Sequence, residues 1–193
     1  MSCGDGFDNG SFGGAAPRAG VAASFVESTP LVVAAAALTT VVNWTIPAGM
    51  LARNGDALDI LIGGTLLQSN AGAQTYFIGI SLAGLALWGA VSTTYAVSAN
   101  RRAHFHRFTL MRTGPATVTL IGDASENNST LLPATGIGAT VTAPQGGPAA
   151  SLDADPAANW SVDQALVIAV QPSNATATWT RKAAIGTLLR APS

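Results

Sequence analysis

The chain has 193 residues, enough for one domain with its own hydrophobic core. Apolar residues make up 48% of it and charged residues only 10%, whereas charged residues make up about 25% of a typical soluble domain. With a net charge of −1, the chain lacks the positive charge on which nonspecific nucleic-acid binding depends, so we expect no nucleic-acid partner. A surface with few charges repels its neighbours weakly, which favours a subunit covered in an assembly over a monomer with a neutral polar surface.

The first segment, residues 1–24, is rich in glycine and shows no hydrophobic periodicity. A segment of this composition cannot bury enough apolar surface to fold by itself. It is either a frayed chain end or an arm that becomes ordered on a neighbouring subunit, with Phe7 and Phe12 as anchors and Arg18 as a further candidate contact. The segment lacks the basic start and apolar core of a signal peptide, so we expect synthesis in the cytoplasm. No apolar stretch reaches the roughly 20 residues of a membrane-spanning helix, so we also expect no membrane partner.

From Phe25 onward, apolar and polar residues alternate as they do in β-strands. Residues 41–46 alternate and include β-branched and aromatic side chains, and the apolar residues at every second position of 58–62 share one face of the next predicted strand. Asn54-Gly55-Asp56 lies between these strands and predicts a tight turn, because Asn-Gly readily adopts positive φ angles.

The apolar pattern shifts by one residue at Ala83-Gly84. Ile78, Ile80 and Leu82 share one face before this point, and the apolar residues occupy odd-numbered positions after it. A shift of one residue at a glycine indicates either a β-bulge or a hairpin turn.

Further strands are predicted at residues 103–112, 117–121, 165–170 and 177–189. The region 123–160 is weakly patterned, and we predict one strand near residues 139–142 and an exposed loop within it. No amphipathic helix of ten residues is evident. Several short strands separated by turns rich in glycine and proline predict an all-β sandwich or barrel.

The residues Thr45-Ile46-Pro47-Ala48-Gly49, followed by Asn54-Gly55-Asp56, resemble the opening of the jelly-roll domain in many virion proteins of tailed bacteriophages. The resemblance covers most of residues 38–190, and its further matching segments are residues 75–82, 112–114, 161–171 and 184–189. It implies an antiparallel jelly-roll β-sandwich over residues 25–193, preceded by an extended N-terminal arm. It also favours a tight turn over a bulge at Ala83-Gly84.

The same resemblance implies a non-enzymatic virion structural protein. The first expectation is a capsid decoration (cement) protein, a trimer on the capsid exterior that binds the major capsid protein and stabilises the head. The alternative is a head-fibre, tail-fibre or spike domain that binds a ligand on the host surface. In either case the chain would be made in the cytoplasm of the host bacterium.

His104-Phe105-His106 lies within a predicted strand, where residues two apart point to the same side. Three copies of the chain could bring six imidazoles together around a zinc, copper, iron or nickel ion. The favoured interpretation is that both histidines are surface residues of a basic strand. We therefore predict no metal site and no cofactor, and His104 and His106 are the candidate metal ligands.

This strand and the two residues before it carry four of the nine basic residues. Guanidinium groups bind carboxylates well, so Arg101, Arg102 and Arg107 are candidate contacts for acidic residues of a capsid neighbour. The alternative is that the arginines are solvated or pair within the chain, with the aspartates Asp56, Asp59 and Asp163 as partners.

Catalytic motifs are absent from the sequence. No serine lies in a Gly-x-Ser-x-Gly elbow, and Glu27 and Glu126 are the only glutamates available for glycoside hydrolysis. The four tryptophans could line a sugar-binding cleft, but in a sandwich they more often pack in the core or at its rim. We expect no catalytic residues and no enzymatic activity.

Overall fold

A computed structural model describes residues 21–68, 74–91, 97–126, 152–154 and 158–191. These residues form eleven β-strands and no helix, which confirms the predicted all-β class. The strands are β1 (Val21–Glu27), β2 (Leu31–Val33), β3 (Thr39–Ile46), β4 (Ala57–Gln68), β5 (Tyr76–Leu82), β6 (Leu85–Val91), β7 (Ser98–Arg112), β8 (Val118–Glu126), β9 (Leu152–Ala154), β10 (Gln164–Pro172) and β11 (Ala177–Leu189). Nowhere in the described ranges is there a helix long and apolar enough to cross a membrane.

The strands form two sheets, and all neighbouring strands in them are antiparallel. In the larger sheet the order is β1-β11-β4-β7-β8-β9. The short β2 pairs with residues 179–181 of β11, which precede the part of β11 that pairs with β1. In the smaller sheet the order is β3-β10-β5-β6. Buried side chains of both sheets form one hydrophobic core, so the domain is a β-sandwich.

The strand β4 shows why these segments form strands with one buried face. Leu58, Ile60 and Ile62 are completely buried, whereas Asp59 and Leu61 between them are partly exposed. Side chains that alternate across a strand place every second residue in the core. The face predicted from the sequence for residues 58–62 is confirmed.

The connection between β5 and β6 contains both of the features that the shifted pattern indicated. Ala83 and Gly84 have φ angles of 52° and 82°, as in the tight two-residue turns of β-hairpins. The register of the two strands also shifts between Ile80 and Ser81, which is a β-bulge. Leu87 is the extra residue of this bulge, and its side chain is buried in the core.

The edges of the sheets differ most from the sequence prediction. β1 begins at Val21, four residues before Phe25, where the strand-like sequence pattern was expected to start. The strands β2 and β9 have only three residues each, and the sequence pattern does not predict them. Residues 1–20 of the predicted arm lie outside the described residues, as does the predicted strand near residues 139–142.

The corner between β1 and β2 is fixed by Arg181 of β11, whose side chain is buried. Its guanidinium group pairs with the Glu27 carboxylate and donates hydrogen bonds to the backbone carbonyls of Val41 and Thr29. Trp44 Nε1 donates a further hydrogen bond to the Glu27 carboxylate at 2.7 Å. These bonds join the edge of the larger sheet to β3 of the smaller one.

The turn between β3 and β4 is held by the Asp56 carboxylate, which is completely buried. It accepts hydrogen bonds from the backbone N–H groups of Arg53 and Ala191 and from the Arg190 guanidinium. The Asp56 carbonyl also accepts a hydrogen bond of 2.9 Å from the Arg112 backbone N–H. The predicted turn is confirmed, and it connects the end of β7 with the chain that follows β11.

The hydrogen bonds also decide the charge state of Asp56. Burial by itself raises the pKa of the carboxyl group, but the hydrogen bonds from Ala191, Arg53 and Arg190 lower it by more. The net pKa lies below the ordinary value of 3.8, so the carboxylate is charged at neutral pH.

Replacing Asp56 by alanine should lower the free energy of unfolding by about 3 kcal/mol, because several donors lose their buried acceptor. Chemical denaturation followed by tryptophan fluorescence measures this change. Asp163→Ala is the matched control, since Asp163 is exposed and accepts a single hydrogen bond from the Ala48 N–H. It should cost less than about 1 kcal/mol. Equal losses in the two variants would contradict the role assigned to Asp56.

Candidate functional site: a buried histidine cluster and an exposed sheet face

The strand β7 presents two chemically different faces. Between residues 102 and 110 its even-numbered side chains point into the sandwich and are buried, and they are Arg102, His104, His106, Phe108 and Leu110. The odd-numbered side chains point outward, with Phe105 and Arg107 exposed. The two histidines share a face, as predicted from their spacing. The interpretation of both as surface residues is wrong, because His104 and His106 are only 3% and 1% exposed.

The arginines of β7 also divide between the two faces. Arg102 is 2% exposed, so its assignment as a surface contact for a capsid neighbour is wrong. Arg101 and Arg107 are exposed, and Arg107 forms the expected intrachain pair with Asp59. The other candidate contacts, Phe7, Phe12 and Arg18, lie outside the described residues, so their role stays a prediction.

His104 connects β7 with β11. Its Nε2 lies 3.1 Å from the backbone carbonyl of Thr180, and because a carbonyl only accepts, Nε2 carries the proton. The imidazole also stacks on the Trp179 indole, with ring centroids 4.4 Å apart and planes 17° from parallel. The histidine is held both by a directed hydrogen bond and by the face of an aromatic ring.

Gly64 of β4 makes the contact of His104 with Thr180 possible. It lies opposite His104 in the register of β4 with β7 and opposite Arg181 in the register of β4 with β11. A Cβ atom at this position would lie 2.6 Å from His104 Nε2 and would also meet the Thr180 carbonyl oxygen. Only glycine leaves room for the imidazole to reach across β4.

His106 connects the two sheets. Its Nε2 lies 3.0 Å from the hydroxyl of Tyr76, a buried residue at the start of β5 in the smaller sheet. The Tyr76 ring also contacts Trp179, with centroids 6.4 Å apart. His104 and His106 themselves lie 5.4 Å apart between ring centroids, so these four aromatic side chains form one histidine cluster within the core.

The surroundings of the histidine cluster keep both imidazoles neutral. Burial lowers the pKa of His106 from the ordinary value of 6.5 to about 4. Burial, followed by repulsion from His106, holds the pKa of His104 well below 6.5, while the hydrogen bond to Thr180 opposes this shift. The Nδ1 atom of each ring is buried and makes no hydrogen bond in the structure. Protonation would therefore place charge where the protein does not compensate it.

The histidine cluster does not fit a metal site. The described residues contain no group of three or more histidine, cysteine, aspartate or glutamate side chains that could hold a metal ion. Imidazoles from three chains cannot converge here either, because the subunit's own sheets enclose both rings. The hypothesis of a metal ion shared between subunits is wrong for this fold. The chemistry open to the histidine cluster is the uptake of protons by its two imidazoles in acid.

The second feature is the outer face of the larger sheet, on the side opposite the core. Large apolar side chains from four strands are exposed on it, with exposures from 38% for Ile185 to 66% for Val26. They are Val26 of β1, Ile185 and Leu189 of β11, Phe105 of β7 and Ile121 of β8. This outer face therefore combines ordered backbone with apolar surface in contact with water.

One ion pair lies in the middle of this outer face. The Arg107 Nε and Nη2 atoms donate to both Asp59 carboxylate oxygens at 2.9 and 2.8 Å, and Thr109 Oγ1 donates to Asp59 Oδ1 at 3.0 Å. The hydrogen bond from Arg107 is the main cause that lowers the pKa of Asp59, and partial burial opposes it. Arginine and aspartate neutralise each other here.

The sequence analysis missed several parts of these features. Tyr76, Trp179 and Thr180 come from strands far from the histidines along the chain, and no local motif marks them. Gly64 did carry a signal, since a glycine inside a strand indicates a bulge or the close approach of another group. Here it marks close approach.

Comparison with known proteins identifies no relative. The chain matches no protein-family model, no curated protein and no solved structure. The resemblance to virion proteins of tailed bacteriophages rests on strand and turn motifs and stays a prediction.

Gly64→Ala should lower the free energy of unfolding by about 2–4 kcal/mol, because the new methyl group displaces His104 and breaks its hydrogen bond. Gly63→Ala is the matched control, since a Cβ atom there would meet nothing within 4 Å. It should change stability by no more than about 1 kcal/mol. Denaturant unfolding of both variants at neutral pH measures the difference, and equal effects would contradict the role of Gly64.

Stability should fall as the pH drops from about 6.5 to about 4, because the unfolded chain binds protons that the folded histidines exclude. His106 should remove up to about 1.4 kcal/mol per pH unit within this window, and His104, whose pKa also lies well below 6.5, adds to the loss. Asp56 and Asp59 have pKa values below 3.8 in the folded state, so their stabilisation is lost only at lower pH.

The pH dependence is measured as unfolding free energy from neutral pH down to about 4. His106→Gln keeps a hydrogen-bonding side chain next to Tyr76 but cannot titrate, so it should reduce the slope. An unchanged slope in this variant would show that His106 is not a source of the acid sensitivity.

Proposed function

We propose that this chain is a non-enzymatic structural subunit of a tailed-bacteriophage particle, most simply a capsid decoration protein. The strand orders β1-β11-β4-β7 and β3-β10-β5-β6 support a jelly roll, a double-sheet fold of eight strands that is common in viral capsid proteins. The strands β8 and β9 extend the larger sheet beyond this pattern. Since a fold alone does not fix function, the outer surface has to carry the argument.

The observation that carries the proposal is the apolar outer face of the larger sheet. A subunit whose partner covers this face removes these side chains from water, which favours association. The low content of charged residues acts in the same direction, because neighbouring copies repel each other weakly. The apolar outer face and the low content of charged residues both suit a regular shell built from many copies of one chain.

The proposed mechanism is mechanical. A decoration protein that binds only the closed capsid lattice raises the free energy needed to open the shell, because opening requires its release. The chain that precedes β1 is the proposed arm, with Phe7 and Phe12 as its anchors on the major capsid protein. No catalytic group enters this mechanism.

The alternative, a fibre or spike domain that binds a host ligand, has less support from the tryptophans. Trp44, Trp160 and Trp179 are buried, and Trp88 packs against the core, where its ring contacts Phe108. These four side chains therefore serve core packing, as the sequence analysis favoured. They do not form an exposed aromatic cleft of the kind that binds sugars.

Cryo-electron microscopy of the particle that contains this chain tests the proposal. We expect density for the sandwich over the capsid lattice, and we expect that density to be missing from particles assembled without the chain. Particles without the chain should also release their nucleic acid at a lower temperature. Density found only at the tail tip or in projecting fibres would contradict the decoration role and favour the alternative.

A further inference from the structure

We infer that the outer face of the larger sheet is the surface by which this chain binds a second copy of itself. The inference rests on the proposed function for its biological setting, since a subunit of a shell meets sister subunits. It goes further by naming the surface and its occupant. The argument combines the arrangement of the side chains, their charge and the area available.

Part of the apolar surface forms a row across three neighbouring strands of the sheet. Val26 lies opposite Ile185 in the register of β1 with β11, and Ile185 lies opposite Leu61 in the register of β11 with β4. Leu61 in turn lies opposite Arg107 of β7. Directly opposite side chains in antiparallel strands lie about 5 Å apart, so Val26, Ile185 and Leu61 form one continuous apolar row, which ends at Arg107.

Phe105 lies in the next row, two residues along β7 from Arg107. Its row contains Gly63 of β4 and Ala183 of β11, which have little or no side chain. The Phe105 ring therefore lies beside a part of the sheet from which almost no side chains project. When two such sheet faces pack together, the Phe105 ring of one copy can lie over the Gly63 and Ala183 positions of the other.

The charge on this face fits another copy better than a charged partner. Asp123 of β8 lies opposite Arg107, and the exposed Lys182 and Arg101 lie just beyond the row of Phe105. Within the rows from Ala183 to Leu189 on β11 and their neighbours on β4 and β7, the charged side chains are Asp59 and Arg107. They already form a bidentate pair with each other. The face thus carries charges of both signs, so a strongly acidic or strongly basic partner would meet like charges on it, whereas an identical face brings charges of both signs against it.

The area is sufficient for specific association. Five neighbouring strands, β1, β11, β4, β7 and β8, contribute to the face. At about 4.8 Å per strand and about 3.4 Å per residue, seven residues of each cover about 600 Å². Two copies that pack face to face then bury about 1,200 Å², at the lower end of the range for stable protein interfaces.

The outer face of the smaller sheet does not offer the same surface. Among the described residues of its four strands, Leu85 is the only large apolar side chain that is exposed. The outward residues of β10 include Ala165, Val167 and Ala169, and those of β5 are Phe77, Gly79 and Ser81, of which Val167 and Phe77 are only partly exposed. The difference between the sheets singles out the larger one for self-association.

The test measures self-association of the purified chain by sedimentation equilibrium over a wide range of concentrations. The wild-type chain should associate, and Ile185→Asp should weaken association by roughly 100-fold, because it buries a charge in the contact. Phe105→Asp, on another strand of the same face, should have the same effect. Leu85→Asp is the matched control on the other sheet and should associate like the wild type. Circular dichroism and thermal unfolding establish that each variant is folded.

The inference is overturned if the wild-type chain stays monomeric at all concentrations, or if folded Ile185→Asp and Phe105→Asp variants associate as the wild type does. An equal loss in Leu85→Asp would also overturn it, since the effect would then not depend on the face. Micrographs of the particle decide the proposed function separately. A chain that decorates the capsid but never self-associates refutes this inference and leaves the proposed function intact.

Discussion

The architecture depends on the antiparallel pairing of β4 with β11 on one side and β7 on the other. This pairing fixes which side chains of three long strands enter the core and which face outward. On the inner side, it sets Gly64 between His104 and Thr180, so that the imidazole reaches across a whole strand. On the outer side, the same register places Asp59 beside Arg107. The histidine cluster and the apolar outer face are thus two results of one alignment.

Polar groups hold the sandwich together at separate places in an otherwise apolar core. The Asp56 carboxylate fixes one end, the bond between His106 and Tyr76 joins the sheets within the core, and Arg181 with Glu27 closes an edge. Buried polar groups add little stability when they are paired, but they cost much when a partner is lost. The polar groups therefore mainly determine which strands and turns meet and in which register. The apolar residues supply most of the driving force for folding.

Much of the fold could be predicted from the sequence, because a period of two residues identifies strands directly. The segment 177–189 was predicted with the bounds that β11 has, and the faces of β4 and β5 are as expected. The orientation of β7 could not be predicted, since both of its faces mix basic, aromatic and aliphatic residues. Only the register with β4 decides that Arg102 and the histidines are inside and that Phe105 and Arg107 are outside. The partners Tyr76 and Trp179 depend on how distant strands meet, which no local pattern contains.

The strand orders have a consequence for biosynthesis. β10 is an inner strand of the smaller sheet and β11 an inner strand of the larger one, yet both follow all the other strands along the chain. Neither sheet can be completed until the ribosome has synthesised β10 and β11. Until then β3 lacks its partner, and β4 and β5 each have one open edge that could pair with other nascent chains. Such a topology, dominated by contacts between distant residues, folds slowly, and the interval between synthesis and closure is when the chain is most prone to aggregate.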